Sequence, residues 1–196
     1  MGNRVDPAGI IGDYYPRGST AYEIVMRHGE QVAAKALAVA EHLGSGGMDI
    51  AFLYEAAMLH DIGIFLTDTP SLDCHGREPY IRHGVLGRSL LEARGLHRHA
   101  LICERHVGVG LSRDDIRRQH LPLPERDMRP VTLEEKIVCY ADKFFSKNAR
   151  TGQTARSIPE ILALLERHGA SQARRFQAWA RRFDNGGRPA AASRPD

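Results

Sequence analysis

Apolar residues in this chain recur every three or four positions, and no segment alternates apolar with polar at a convincing period of two. That pattern predicts helices throughout and leaves no sheet to organise the core, so the expected fold class is all-α, one domain without internal repeats. From Thr20 to Leu43, the residues Ile24, His28, Val32, Ala36, Val39 and Leu43 share one helical face, and Gly44 to Gly47 end it. Asp49 can N-cap a second helix through Ile50, Leu53, Ala57 and Asp61. Further helices are expected from about Tyr80 to Gly95, from His97 to Val107, and in a short piece opened by Ser112 with Asp115. Thr132 with Glu135 forms a capping box for a helix through Phe145, and two more helices are expected over 158–168 and 171–183. The stretch 64–79 and the region of Pro122, Pro124 and Pro130 have loop chemistry.

The domain reading follows from these boundaries. Residues 1–19, rich in Gly, Pro and Asp, are expected as a loop or loosely docked arm; 20–184 as the domain, with its motif-bearing core at 20–148 and C-terminal helices at 150–184; and 185–196 as a disordered tail. Phe176, Trp179 and Phe183 are expected to cover the core rather than a second subunit. Apolar runs are too short for a membrane span and the N-terminus lacks a secretory pattern, so the expectation is a cytoplasmic protein without membrane contact. Cys74, Cys103 and Cys139 form no CxxC pair and read as reduced thiols. The basic excess lies in residues 150–196, with nine arginines against four acids, but no known nucleic-acid motif accompanies it, so no nucleic-acid partner is expected.

The polar residues on otherwise apolar faces carry the chemistry. His28 shares its stripe with Ile24 and Val32, and Asp142 lies between Val138 and Phe145 on its helix. A buried carboxylate needs a counter-ion or a metal. His60 and Asp61 interrupt the apolar stretch AAMLHDIGIFL, and His83 and His106 complete a set of six drawn from five helices. Imidazole with carboxylate is the ligand chemistry of first-row transition metals. His42, His97, His99, His120 and His168 fall at helix ends or polar faces and read as surface residues.

This order, His28, His60-Asp61 as HDIG, His83, His106 and then Asp142 in CYADKFF, resembles the HD-domain metallohydrolase superfamily over about residues 20–148. ERHVGVGLSRDDI and TLEEKIVCYADK resemble its small stand-alone phosphohydrolases. The resemblance implies a helical bundle with a metal site at its centre. His28, His60, Asp61 and Asp142 match the positions that hold one metal, and His83 with His106 match the added histidines of dinuclear members, in which the aspartate of the HD pair bridges. Two divalent metals per chain are therefore expected, iron or manganese favoured and zinc possible, because four histidines disfavour magnesium.

The activity so implied is metal-dependent hydrolysis of a phosphate ester of a small molecule, a nucleotide or related monoester, by a metal-activated water. Asp61 and Lys143 are the expected catalytic residues, and His75, Arg77, Arg82, Arg105 and Lys147 the candidates for binding phosphate oxygens. The loop DTPSLDCHGREPY is a candidate lid. The same ligand order occurs in mixed-valent di-iron oxygenases acting on inositol or organophosphonates, which form the alternative. Ile64 follows Gly63 and no GYP motif occurs, which argues against cleavage of cyclic dinucleotides.

Overall fold

Three helices that carry the core start on side chains that accept a backbone proton. Ser19 accepts from the Tyr22 amide at 3.1 Å, Asp49 from Phe52 at 3.1 Å and Thr132 from Glu135 at 3.2 Å, each meeting an amide that the helix itself leaves unpaired. A computed structural model describes residues 4–44, 46–147 and 154–184. Its helices are α1 (Pro7–Gly12), α2 (Thr20–His42), α3 (Ile50–Leu59), α4 (His83–Ala93), α5 (His97–Arg105), α6 (Arg113–Arg118), α7 (Leu133–Asp142), α8 (Ile158–Glu166) and α9 (Ala170–Phe183). The fold is an all-α bundle. Strands of two residues, β1 (Asp68–Thr69) and β2 (Cys74–His75), pair antiparallel within the stretch expected as loop; they are too short to show alternation in sequence.

α2 is the spine, packed on α3 and α7, while α4 packs on α5. Gly29 allows the first contact to be close: a Cβ there would lie 3.1 Å from the Met58 carbonyl oxygen. Leu53, Leu59, Ile62, Ile137 and Val138 fill the centre with no exposure. α9 closes the bundle, as its aromatic stripe suggests: Phe176 stacks on Tyr140 at 5.0 Å between centroids, Phe183 meets Tyr140 edge-on, and Trp179 is 9% exposed. Burying such a ring contributes roughly 2 kcal/mol.

Two local readings are corrected. The capping box at Thr132 is only half made, because the Glu135 carboxylate accepts from the Val131 amide and from Arg105 instead of the Thr132 amide. The N-terminal stretch, expected as loop or loose arm, carries α1 and docks firmly, with Ile11 and Tyr15 at 0% and 1% exposure. Its apolar residues are too few to show a period. The expected tail 185–196 lies outside the described residues.

Tyr15 links this segment to the chain that follows the HD pair. Its hydroxyl donates to the Ile62 carbonyl at 3.1 Å and accepts from the Phe65 amide at 3.0 Å, bracing a 3-10 helix at Ile62–Leu66. Tyr15→Phe leaves two backbone groups unpaired beside a buried ring and is expected to destabilise the protein by about 2 kcal/mol. Urea unfolding measures this, and an unchanged midpoint would show that the brace is idle.

Candidate metal centre

The residues of the HDIG pattern converge because helices end together. His60 caps the C-terminus of α3, with Asp61 next; His106 caps the C-terminus of α5; Asp142 is the last residue of α7; His83 is the first of α4. Three helix C-termini, with their negative dipole ends, thus face one point together with two carboxylates, a field that favours cations. His28 enters from the middle of α2.

Glycines make the convergence possible. A Cβ on Gly63 would sit inside the van der Waals envelope of the His83 carbonyl and the Gly87 amide, so the chain after the HD pair and α4 touch backbone to backbone. Gly84 and Gly87 in turn let α4 lie on α5, where a Cβ on Gly84 would be 2.7 Å from the Cys103 carbonyl oxygen. Gly63 therefore serves a close approach rather than a helix cap.

Asp61 stands between two groups of side chains, each with ligand atoms within 4.8 Å of one another. Its Oδ2 lies 3.2 Å from His28 Nε2 and 3.0 Å from His60 Nε2; Asp142 Oδ1 lies 3.0 Å from the first of these nitrogens and 3.5 Å from the second. Its Oδ1 lies 3.3 Å from His83 Nε2 and 3.4 Å from His106 Nε2. All six residues are buried, at 6% exposure or less.

Three of the imidazoles are held in one tautomer. Nδ1 of His60 donates to the Ala57 carbonyl at 2.6 Å, that of His83 to Tyr80 at 2.7 Å and that of His106 to Cys103 at 2.7 Å. In the neutral imidazole a proton on Nδ1 leaves Nε2 with a free lone pair, as in metal-binding histidines. His83 Nε2 and His106 Nε2 then face each other at 3.0 Å, two lone pairs that require a cation or a proton between them. His60 Nε2 and both oxygens of Asp61 have no hydrogen bond of acceptable geometry despite complete burial. The donor set fits a transition metal on this observation. Thiols support it from behind: Cys103 Sγ donates to the His60 carbonyl at 2.9 Å and Cys139 Sγ to that of His106 at 3.3 Å. Burial pushes Cys139 up to about 12, and Cys103 also rises, so neither is a nucleophile.

The electrostatics point the same way. Burial opposes ionisation of Asp61, but His60 and Lys147 overcome it and hold the carboxyl well below its usual range. Burial likewise opposes charge on Asp142, and Lys143 and Lys147 outweigh it. His60, although burial disfavours its charged form, is raised to about 9 by Asp61 and Asp142, whereas burial takes His83 down to about 3. The position between the carboxylates draws positive charge, and the position between His83 and His106 presents neutral imidazoles.

Two cavities open on the cluster. One, of about 740 Å³, is lined by Asp142, Lys143, Lys147, Ser71, Ser146 and Arg156, among others. The other, of about 430 Å³, reaches His83 and His106 and presents a mostly apolar surface. Lys147 Nζ lies 2.7 Å from Asp61 Oδ2, and Lys143 Nζ 2.5 Å from Asp142 Oδ2, so both expected lysines stand at the site.

The other candidates stand elsewhere. His75 and Arg77 are exposed and line neither cavity; the expected lid reaches the larger one through Thr69, Ser71 and Leu72 instead. Arg82 pairs with Glu78 at 2.9 Å and with the Pro122 carbonyl at 3.4 Å. Arg105 is engaged by both oxygens of buried Glu135, at 2.8 and 2.9 Å, on another face of the protein. Sequence spacing brought these cations near ligands along the chain, but the helix ends turn their side chains away. His99, read as a surface residue, is buried beside Glu55 at 3.1 Å, and His168 lines the smaller cavity. Arg156, Gln119 and Gln172 were not legible as site residues, since nothing in their local sequence departs from a polar helix face or loop.

No helix of the described residues is long and apolar enough to cross a membrane. Comparison with known proteins adds the following. The chain is 40% identical over 96 residues to an uncharacterized protein of Methanocaldococcus jannaschii, covering 48% of this chain and 49% of that one. It is 32% identical over 131 residues to a tRNA (cytidine(56)-2'-O)-methyltransferase of Picrophilus torridus, covering 66% of this chain and 34% of that protein. The enzyme of the same name from Thermoplasma volcanium is 30% identical over 146 residues, covering 74% of this chain and 38% of its own. The chain thus spans between about a third and a half of the length of these relatives. No solved structure gives a significant match. The HD domain family matches residues 25–146, a range that contains all six converging histidines and aspartates, and the chain belongs to that family.

Proposed function

We propose that this protein is a metal-dependent phosphohydrolase acting on the phosphate ester of a small molecule, a nucleotide or related monoester. The observation that carries the reading is the pair of His/Asp groups sharing Asp61, opening on a cavity lined by Lys143, Lys147 and Arg156. His28, His60, Asp61 and Asp142 would hold one metal, and Asp61, His83 and His106 a second, with iron or manganese favoured and zinc also suited to the donors. When bound, the metals would lower the pKa of a water and polarise the phosphoryl group.

The chain's own residues supply the rest. Asp61, with one oxygen toward each group, fixes the spacing of the two positions. The Nδ1 bonds of His60, His83 and His106 keep their rings from rotating. Lys143 and Lys147 place ammonium groups where phosphoryl oxygens would accumulate charge, and the buried walls limit water. Arg156 donates to the Lys143 and Phe145 carbonyls, each at 3.4 Å, and so positions that lysine-bearing turn.

A nucleotide substrate is in keeping with relatives named for action on tRNA, although the methyltransferase name belongs to proteins two to three times longer than their match here. The same donors would serve a mixed-valent di-iron oxygenase, which is the alternative reading. Elemental analysis of protein purified anaerobically, with phosphate release from a panel of monoesters, tests the assignment. About two metal ions per chain and phosphate release are expected. Turnover by metal-free protein refutes the mechanism, and substrate-dependent oxygen uptake with a mixed-valent iron signal replaces it by the oxygenase.

A further inference from the structure

The smaller cavity differs in kind from the one beside it. Its charged residues, Asp142, Lys143 and Lys147, are all shared with the larger cavity and mark the edge where the two adjoin. Away from that edge the walls are Ile81, Val107, Leu111 and Leu121, with Gln119, His168 and Gln172 as polar groups. Gln172 is 2% exposed; its Oε1 lies beside Gly169, which does not line the cavity, and its Nε2 beside Gly108, which does. An amide N–H that faces apolar walls is unfavourable unless an acceptor meets it. The cavity has the size of a small-ligand site, mostly apolar with few convergent polar groups.

We propose that this cavity receives the organic part of the substrate, a neutral heteroaromatic ring of nucleobase size whose acceptor nitrogen or oxygen meets Gln172 Nε2, and that Gln172 is a specificity-determining residue. The inference rests on the phosphohydrolase reading for the orientation of the ester: its phosphoryl group lies at the His/Asp cluster, the lysine side of the site takes its charge, and the ring extends past His83 and His106. An alkyl group would fill the aliphatic walls but leave the amide unpaired, and a charged group would lose its hydration against Val107, Leu111 and Leu121 without a counter-ion. Arg156, His168 and Gln172 all lie beyond residue 146, outside the stretch matched by the HD family. The metal-holding residues are therefore those of the family core, while the helices after it choose the substrate.

The test uses the four ribonucleosides adenosine, guanosine, cytidine and uridine, which lack phosphate, so that binding is read apart from catalysis. Saturation-transfer NMR titrations on the full chain are expected to show millimolar or tighter binding of at least one. Gln172→Leu, which keeps the volume and removes the amide, should weaken it at least tenfold, and Leu121→Trp, which fills the cavity, should abolish it; thermal midpoints identify any variant that does not fold, and one folded variant suffices. Failure of the wild type to bind any of the four, or undiminished binding in the folded variants, overturns the inference. Phosphate release from glycerol 2-phosphate by the metal-loaded protein reports on hydrolysis alone, so the phosphohydrolase reading can fail while nucleoside binding stands, and the reverse.

Discussion

Asp61→Ala is expected to purify without bound metal and to lose phosphate-ester turnover by three orders of magnitude or more, equivalent to about 4 kcal/mol of transition-state stabilisation. No other described residue belongs to both His/Asp groups, so its removal opens both positions at once. Lys147 loses the partner it holds at 2.7 Å, and His28, His60, His83 and His106 all lose a carboxylate oxygen within 3.4 Å. Elemental analysis and circular dichroism separate this from unfolding. A folded variant that keeps both metals would remove Asp61 from the centre, and one that keeps turnover without metal would end the metallohydrolase reading.

His83→Ala makes a graded comparison. It should halve the metal content and leave His28, His60, Asp61 and Asp142 as one intact group, since the lost imidazole belongs only to the other. Unchanged metal stoichiometry and activity would mean that a single position does the work.

Gly63→Ala is expected to be as damaging to the fold as Asp61→Ala is to the chemistry. The added methyl group would have to displace backbone, the His83 carbonyl and the Gly87 amide, rather than a flexible side chain. Overpacking of this kind costs about 3 kcal/mol, which for a chain of this length lowers the thermal midpoint by roughly 10 °C. Because the displaced carbonyl is that of His83, residual folded protein should also hold less metal than the wild type. Calorimetry with parallel metal analysis checks both, and a wild-type midpoint would show that α4 does not pack as described.

The helices and the six converging residues could be read from the chain because each obeys a local rule. Caps such as Asp49 and Ser112 act within three residues, and a histidine such as His28 on an apolar stripe contradicts its own neighbourhood. The phosphate-side cations could not be read in the same way. Arg105 stands one residue from His106 yet turns to Glu135, whereas Arg156, fourteen residues after Asp142, comes back to the cavity. Which of two neighbouring side chains faces a site depends on the roll of a helix about its axis, and that roll is set by long-range packing. Tyr15 and Gln172 illustrate the limit further, since each acts on residues more than forty positions away, Ile62 in one case and the His83 and His106 cavity in the other.

The convergence of helix ends also divides the molecule into a chemical pole and a mechanical pole. α3 runs toward the cluster over ten residues, α4 leaves it over eleven and α5 returns over nine, so at 1.5 Å per residue the turns at their outer ends stand about 15 Å from the metal-facing side chains. Those turns are tied to one another, not to the chemistry: Arg98, at the start of α5, bonds Asp49, the cap of α3, at 2.9 Å. Length changes beside Gly44 or around Gly95 therefore alter the outer side of the bundle while the reactive side keeps its spacing, which leaves the outer turns free to accept an inserted peptide, a tag or a tether to another domain.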